Sequence, residues 1–188
     1  MIPLITQTSR LTILAASRAL LTAELHKPQY FSTLLGAVLP ADWPPSDYDR
    51  SVMQYFLDQL TAGGREAAGW YNWYALRKAE GDTPRTLVGA GGFMGPPTAG
   101  GMAEISYSIA EDWRGQGLGT ELVGGLVQQA AATGMVHRLI AHARADNPAS
   151  QQALLHNDFV LVGPGPDGYV RFERAVEPAA DPRLQDVA

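Results

Sequence analysis

The sequence contains no cysteine, so disulfide bonds, a cysteine nucleophile and metal sites built on thiolates are excluded. It has no apolar run near the roughly 20 residues that a membrane-spanning helix requires. Arg10 and Arg18 also interrupt the N-terminal segment, where a secretory signal peptide would have an apolar stretch. We therefore expect a cytoplasmic protein with no membrane partner.

Basic residues are also scarce. The chain has 14 lysines and arginines against 19 aspartates and glutamates, a net charge of −5. Nucleic-acid binding needs a basic surface that neutralises phosphates, so the charge balance argues against a nucleic-acid partner. The histidines do not show the spacing of metal ligands, and we expect no metal; they are His26, His137, His142 and His156.

The most informative stretch covers residues 103–132, where the hydrophobic period changes midway. Ile105, Tyr107 and Ile109 alternate with polar residues, which predicts a half-buried strand. Residues 114–119 (RGQGLG) then have glycine at every second position. Beyond them, apolar residues recur every three or four positions, the pattern of an amphipathic helix. The predicted unit is a strand, a glycine-rich turn and a helix.

Such a unit suits a phosphate group. A helix start has unpaired N–H groups and a partial positive charge, and glycines remove the Cβ atoms that would hold an anion away. Arg114 adds a charged donor. A nucleotide-triphosphate loop is excluded because the chain has no Gly-Lys pair. The dinucleotide fingerprint fails at its last place, which holds Thr120, and it would follow a continuously apolar strand.

The remaining candidate is coenzyme A. Arg114-x-x-Gly117-x-Gly119 matches R/Q-x-x-G-x-G/A, the pyrophosphate-binding signature of the GNAT acetyltransferases. The chain resembles a GNAT N-acetyltransferase of the RimJ/RimL-like branch, from about residue 9 to residue 174. By itself the short motif is equally compatible with a glycine-rich turn before a core helix.

The order of the predicted elements is that of the GNAT fold. We expect a mixed, mostly antiparallel α/β sheet of about six to seven strands flanked by helices, in one domain (residues 1–176) with a flexible tail (residues 177–188). Helix 47–61 is predicted to be capped by Asp47 and to end at Gly63-Gly64. The predicted strands are 9–14, 70–77, 86–93, 103–109, 138–143, 159–162 and 169–174, and the other helices are 16–26, 30–38, the segment after Gly117, and 147–157.

The resemblance implies acetyl-CoA as the acetyl donor. In the family, the central strand separates from its neighbour, and its free backbone groups hold the pantetheine arm and polarise the thioester; ordinary strand pairing is the alternative. The sequence NPAS resembles the family's N-x-x-S, in which the asparagine holds the arm and the serine stands near the sulfur. The implied coenzyme residues are Ser108, Ile109, Ala110, Arg114, Gly115, Gln116, Gly117, Leu118, Gly119, Thr120, Asn147 and Ser150.

Acetyl transfer to an amine needs a group that accepts a proton and a donor for the leaving sulfur. Glu104 lies at the start of the central strand, where histone-type GNAT enzymes carry a glutamate that acts as general base; a solvated strand residue is the alternative. Many family members carry a tyrosine general acid at the position that aligns with Leu154. Leucine cannot donate a proton, so this role is absent or falls to Ser150.

The acceptor site is expected in the aromatic first half of the chain, at Trp43, Trp70 and Trp73 with Glu104, although core packing is an alternative for the tryptophans. The leading interpretation is an acetyl-CoA-dependent N-acetyltransferase that acts on a primary amine by direct attack in a ternary complex. The amine is a small molecule or a protein N-terminus, and a homodimer is left open. The alternatives are a GNAT-fold module that binds acyl-CoA without turnover and a nucleotide-binding α/β protein.

Overall fold

A mixed β-sheet is the frame of the protein, and the computed structural model describes residues 3–178. The strands are β1 (Ile5–Gln7), β2 (Leu11–Ala15), β3 (Asn72–Arg77), β4 (Thr86–Phe93), β5 (Met102–Ile109), β6 (Arg138–Arg144), β7 (Val160–Pro164) and β8 (Tyr169–Ala175). The helices are α1 (Arg18–His26), α2 (Pro28–Leu35), α3 (Arg50–Ala67), α4 (Leu118–Thr133) and α5 (Pro148–Leu155), with a short 3₁₀ turn at Glu111–Trp113.

The eight strands lie in the order β1-β2-β3-β4-β5-β6-β8-β7. Neighbouring strands are antiparallel except for β5 and β6, which are parallel. The predicted mixed, mostly antiparallel sheet is therefore confirmed, with eight strands instead of six or seven. The additional strand is β1, whose three residues are too few to show an alternating pattern.

The start of α3 differs from the prediction. Asp49, not Asp47, is the N-cap residue, and its carboxylate accepts hydrogen bonds from the Ser51 N–H and hydroxyl, both at 2.7 Å. Gly64 interrupts the helix with a φ of 55°, which glycine adopts at little cost, but one further turn follows it. Because Asp49 takes the capping role, the side chain of Asp47 is available for other contacts.

The alternation in β5 is confirmed and sets the two faces of the sheet. Ile105 and Ile109 are buried, whereas Glu104 and Ser106 on the opposite face are exposed. The amphipathic helix α4 packs against β5. α3 lies across the polar face, where its side chains share a cavity with Ser106.

The parallel pair β5 and β6 separates partway along its length. Its register runs from Met102 opposite Arg138 to Ile105 opposite Ala141 and ends there within the described residues. Both strands continue, β5 to Ile109 and β6 to Arg144. The end of β5 therefore has a neighbour on the β4 side alone, and backbone groups on its β6 side are left without a strand partner.

Glycines in β4 hold this end of β5 in place. A Cβ atom at Gly89 would lie 2.5 Å from the carbonyl oxygen of Ser108, and one at Gly91 would lie 2.7 Å from that of Ser106. Heavy atoms cannot approach so closely, so only glycine permits this packing. The two glycines let β5 stay against β4 where it leaves β6.

The connection between α2 and α3 is fastened to a carboxylate on α1. Glu24 accepts hydrogen bonds from Trp43 Nε1 at 2.9 Å, from the Tyr48 hydroxyl at 3.4 Å and from the Tyr74 hydroxyl. Asn72 donates to the Tyr48 hydroxyl at 3.2 Å, which ties the same connection to β3. Burial raises the pKa of Glu24 above its ordinary value, although these hydrogen bonds and Arg50 act in the opposite direction.

Among residues 3–178, no helix is long and apolar enough to cross a membrane. The division into a domain (1–176) and a flexible tail (177–188) stays a prediction, because residues 179–188 lie outside the described part of the chain.

The raised pKa of Glu24 predicts a pH dependence of stability. Between the ordinary value of 4.5 and the raised folded-state value, the native protein binds more protons than the unfolded chain. The contribution of this carboxyl to the free energy of unfolding therefore falls as the pH rises through that window. Glu24→Gln removes this titration, so the variant should gain in Tm relative to the wild type between pH 4.5 and neutral pH. Glu66→Gln, at an exposed site on α3, is the control. Parallel Tm curves for wild type and Glu24→Gln would contradict the account.

Candidate active site

Two cavities meet where β5 leaves β6. The loop cavity has a volume of about 380 Å³ and lies between the end of β5, the glycine-rich turn (residues 114–119) and α5. The α3 cavity has a volume of about 210 Å³ and lies between α3 and strands β4 and β5. Asp47, Tyr107 and Ser108 line both cavities, so the two spaces adjoin at these residues.

The structure brings most of the predicted coenzyme residues together around the loop cavity. Ala110 and Gln116 do not line it: Ala110 is fully buried and donates its N–H to the Val88 carbonyl oxygen at 3.0 Å, and Gln116 is exposed. The predicted residues that do line the cavity are Ser108, Ile109, Arg114, Gly115, Gly117, Leu118, Gly119, Thr120, Asn147 and Ser150.

The glycine-rich turn has the backbone of an anion site. Gly115 and Gly117 have φ values of 73° and 77°, a left-handed conformation that residues with a Cβ atom rarely adopt. Gly117 is the N-cap of α4, and no side chain caps that end of the helix. The first N–H groups of α4 are therefore available to a bound anion.

An ion pair between Arg10 and Glu121 supports the glycine-rich turn. Arg10 donates from Nε to Glu121 at 2.7 Å and from Nη1 to the carbonyl oxygen of Gln116 at 2.9 Å. Thr8 donates to the same Glu121 carboxylate at 2.6 Å. Burial opposes ionisation of Glu121, but the hydrogen bonds from Thr8 and Arg10 outweigh it and lower the pKa. The turn is thus held between α4 and the β1–β2 connection.

Asp47 joins the turn to β5. Its Oδ1 atom accepts a hydrogen bond from the Ser108 hydroxyl at 2.7 Å and lies 3.6 Å from Nη2 of Arg114. Arg114 also donates from Nε to the Ile109 carbonyl oxygen at 2.8 Å. The sequence pattern presented Asp47 as a helix cap, and this contact between distant segments has no local sequence signal.

A tyrosine stands beside the predicted serine. The Tyr107 hydroxyl donates to the Ser150 carbonyl oxygen at 2.7 Å and lies 2.9 Å from the Ser150 hydroxyl. Burial raises the pKa of Tyr107 to about 12, so the phenol keeps its proton at neutral pH. Asn147 accepts the Ser150 N–H at 3.1 Å, which confirms its predicted role as the cap of α5. Sequence reasoning passed over Tyr107, although it is the one polar member of the alternating apolar face.

Leu154, at the position where many family members carry tyrosine, is fully buried and offers no proton donor.

Glu104 pairs with a histidine that the sequence pattern did not single out. Its Oε1 atom lies 2.9 Å from Nδ1 of His142, on the adjacent strand β6. The Glu104 side chain is 46% exposed. Glu104 lines neither cavity, but it lies on the same face of β5 as Ser106, which lines the α3 cavity.

The predicted tryptophans do not line the cavities. Trp70 and Trp73 are buried in the core, where Trp70 packs against Phe93 and Trp73 donates to the Gly69 carbonyl oxygen. Trp43 packs against Tyr48, with ring centroids 5.4 Å apart. The structure instead lines the α3 cavity with Tyr48, Asp49, Val52, Met53, Phe56, Asn72 and Met94 among others. Alternation along a fully buried strand cannot distinguish core from cavity.

The described residues contain no group of three or more histidines, cysteines, aspartates or glutamates that could hold a metal ion.

Comparison with known proteins decides the family. Residues 19–160 match the family model described as an acetyltransferase (GNAT) domain. The chain belongs to the GNAT acetyltransferase family. It is 28% identical over 155 residues to the uncharacterized N-acetyltransferase YjdG of Bacillus subtilis (strain 168), which covers 82% of this chain and 89% of that protein. It is 38% identical over 61 residues to the ribosomal-protein-serine acetyltransferase of Escherichia coli (strain K12), covering 32% of this chain and 34% of that protein.

Solved structures show the same fold. RimL, the ribosomal L7/L12 alpha-N-protein acetyltransferase, in complex with coenzyme A has a TM-score of 0.62 and 19% sequence identity, covering 95% of this chain and 99% of RimL. The predicted membership in the GNAT family, with RimJ/RimL-like relatives, is confirmed. This GNAT protein is an N-acetyltransferase, and acetyl-CoA is its acetyl donor.

Proposed function

We propose that this GNAT enzyme transfers the acetyl group directly from acetyl-CoA to a primary amine, with both substrates bound at once. The observation that carries the proposal is the junction of two cavities at the free end of β5. A donor in the loop cavity and an acceptor in the α3 cavity would meet beside Tyr107 and Ser108. Two adjoining sites support direct transfer, because no covalent enzyme intermediate is then needed.

The loop cavity is the proposed coenzyme site. The pyrophosphate binds the N–H groups at the start of α4 and the guanidinium of Arg114. The pantetheine arm follows the side of β5 that has no strand partner beyond Ile105. Its amides can pair there with the backbone groups of β5, as a neighbouring strand would. Asn147 and Ser150 border the reactive end of the coenzyme.

The α3 cavity is the proposed acceptor site. Its volume of about 210 Å³ is smaller than the roughly 300–1,000 Å³ of pockets that enclose drug-sized ligands. It therefore suits a small amine or the end of a longer chain. A protein N-terminus, the acceptor indicated by the name of RimL, is one member of this class.

The chemistry requires one proton acceptor and one proton donor. The neutral amine attacks the thioester carbon, the C–S bond breaks, and the amine loses a proton as the amide forms. We assign the lost proton to Glu104, reached directly or through water, with His142 at 2.9 Å as its partner. The leaving sulfur receives a proton from the Ser150 hydroxyl, next to the Tyr107 phenol. Water then returns a proton to Ser150 and takes the proton from Glu104, so both groups are restored for the next turnover.

The alternative from the sequence, a GNAT-fold module that binds acyl-CoA without turnover, drew on the leucine at position 154 and is opposed by the acetyltransferase family and by the N-acetyltransferase relatives. Release of free thiol from acetyl-CoA on addition of amines separates the two candidates. The module would bind acetyl-CoA and release no thiol with any amine.

A side chain at Gly119 should block the coenzyme. The backbone there is not left-handed, and a Cβ atom would make an ordinary contact, 3.6 Å from Ile109 Cγ1, so Gly119→Val should fold. Its side chain would keep the pyrophosphate away from the first turn of α4. We expect acetyl-CoA binding in calorimetry and thiol release both to be lost. Gly100→Val is the matched control, because Gly100 lines neither cavity and a Cβ atom there would make an ordinary contact, 3.9 Å from Thr98 Oγ1. Wild-type affinity in folded Gly119→Val would refute the site.

Glu104→Gln keeps the side-chain size and removes the basicity. We expect kcat with an alkylamine to fall by roughly 10²- to 10⁴-fold, the usual weight of a positioned general base. The affinity for acetyl-CoA should not change. A peptide α-amine, with a pKa near 7.7–8.0 against about 10.4 for lysine, should be less affected. Near-normal rates on both acceptors would leave solvent as the base.

Measurements of kcat and KM in two further variants test the proton donor. Ser150→Ala should lower kcat and leave the KM for acetyl-CoA unchanged, because the hydroxyl acts on the leaving sulfur. If Tyr107→Phe lowers kcat and Ser150→Ala does not, the phenol is the donor. Unchanged kcat in both variants would remove this pair from the mechanism.

A further inference from the structure

We infer that the carboxylate of Asp47 binds the ammonium form of the acceptor amine. The acceptors are therefore primary amines with a neutral group next to the amine: alkylamines, amino-acid amides and peptide N-termini. Free α-amino acids, which carry a carboxylate beside the amine, are excluded. The inference rests on the proposed function of the site and names its substrate class.

Asp47 lies at the junction of the two cavities. Only three described residues line both cavities, and Asp47 is the one with a carboxylate side chain. The other two, Tyr107 and Ser108, belong to β5. A group that passes from the α3 cavity toward a thioester held along β5 therefore passes this carboxylate.

The contacts of Asp47 leave it able to bind a cation. Ser108 and Arg114 both engage Oδ1, at 2.7 Å and 3.6 Å, and no described residue donates a hydrogen bond to Oδ2. The side chain is 58% exposed. When a pyrophosphate takes Arg114 as its partner, Asp47 loses its nearest cation. An ammonium group would then provide a short, charge-assisted hydrogen bond in its place.

The rest of the α3 cavity points to the same class of acceptor. None of the described residues that line it is lysine or arginine, so a carboxylate on the acceptor would find no cationic partner. Its other carboxylate, Asp49, is used in capping α3. The remaining wall includes apolar side chains, which suit an uncharged group beside the amine; they are Val52, Met53, Phe56 and Met94.

Asp47 and Glu104 have separate roles. Glu104 lines neither cavity and pairs with His142, whereas Asp47 lies at the junction itself. Asp47 is thus a specificity residue that holds the ammonium form before it loses its proton. Its loss should act on acceptor KM and on acceptor preference.

The test compares phenylalaninamide with phenylalanine, which differ in charge next to the same amine. The wild type should acetylate the amide and discriminate strongly against the acid. Asp47→Asn should raise the KM for the amide by about 10- to 100-fold, the usual range for a lost hydrogen bond to a charged group. It should also reduce the ratio of the kcat/KM for the amide to that for the acid. Asp47→Glu, which keeps the charge, should retain part of the preference.

Asp112→Asn makes the same charge change on the 3₁₀ turn, at an exposed residue that lines neither cavity, and should keep the wild-type preference. An unchanged amide KM and an unchanged preference in Asp47→Asn would overturn the inference and leave the transferase function intact. If the wild type acetylates no amine, the proposed function fails by itself. Calorimetry of phenylalaninamide with the coenzyme-A-bound protein then decides on Asp47: equal affinity in wild type and Asp47→Asn would overturn its role.

Discussion

The divergence of β5 from β6 beyond Ile105 and Ala141 is the constraint on which the rest of the site depends. A continuous parallel pair would satisfy the backbone groups of β5 and close the space between the strands. Here the pairing stops while both strands continue, so one side of β5 is left for another partner. The loop cavity lies beside this end of β5, and the α3 cavity adjoins it at Tyr107 and Ser108. The break in strand pairing thus lies where the two cavities adjoin.

Three sets of contacts keep this opening in shape. Glycines of β4 allow close packing against β5, where any Cβ atom would collide with a carbonyl oxygen. The pair of Arg10 and Glu121 holds the glycine-rich turn at its backbone. Glu24 on α1 fastens the connection that carries Asp47 and Tyr48. Each contact joins segments far apart in sequence, so the walls of the loop cavity and of the α3 cavity are fixed to one frame.

The sequence predicted the elements whose patterns are local. The alternation in β5, the stripe of α4 and the cap at Asn147 follow from neighbours in the chain, and all three are confirmed. The pairs Glu104 with His142 and Tyr107 with Ser150 could not be predicted, because they are separated by 38 and 43 residues. The tryptophans show the same limit. Trp70 and Trp73 lie in or beside a strand that is buried on both faces, so their alternation carries no information about the cavity.

The central claim is that the free side of β5 holds the coenzyme arm. Hydrogen–deuterium exchange with and without saturating coenzyme A tests it most directly, because bound amides exchange more slowly. The account predicts slower exchange in residues 106–109 and 115–120 on coenzyme addition, and unchanged exchange in the edge strand β7 as an internal reference. Unchanged exchange in both segments, with coenzyme bound, would place the coenzyme elsewhere and contradict the account.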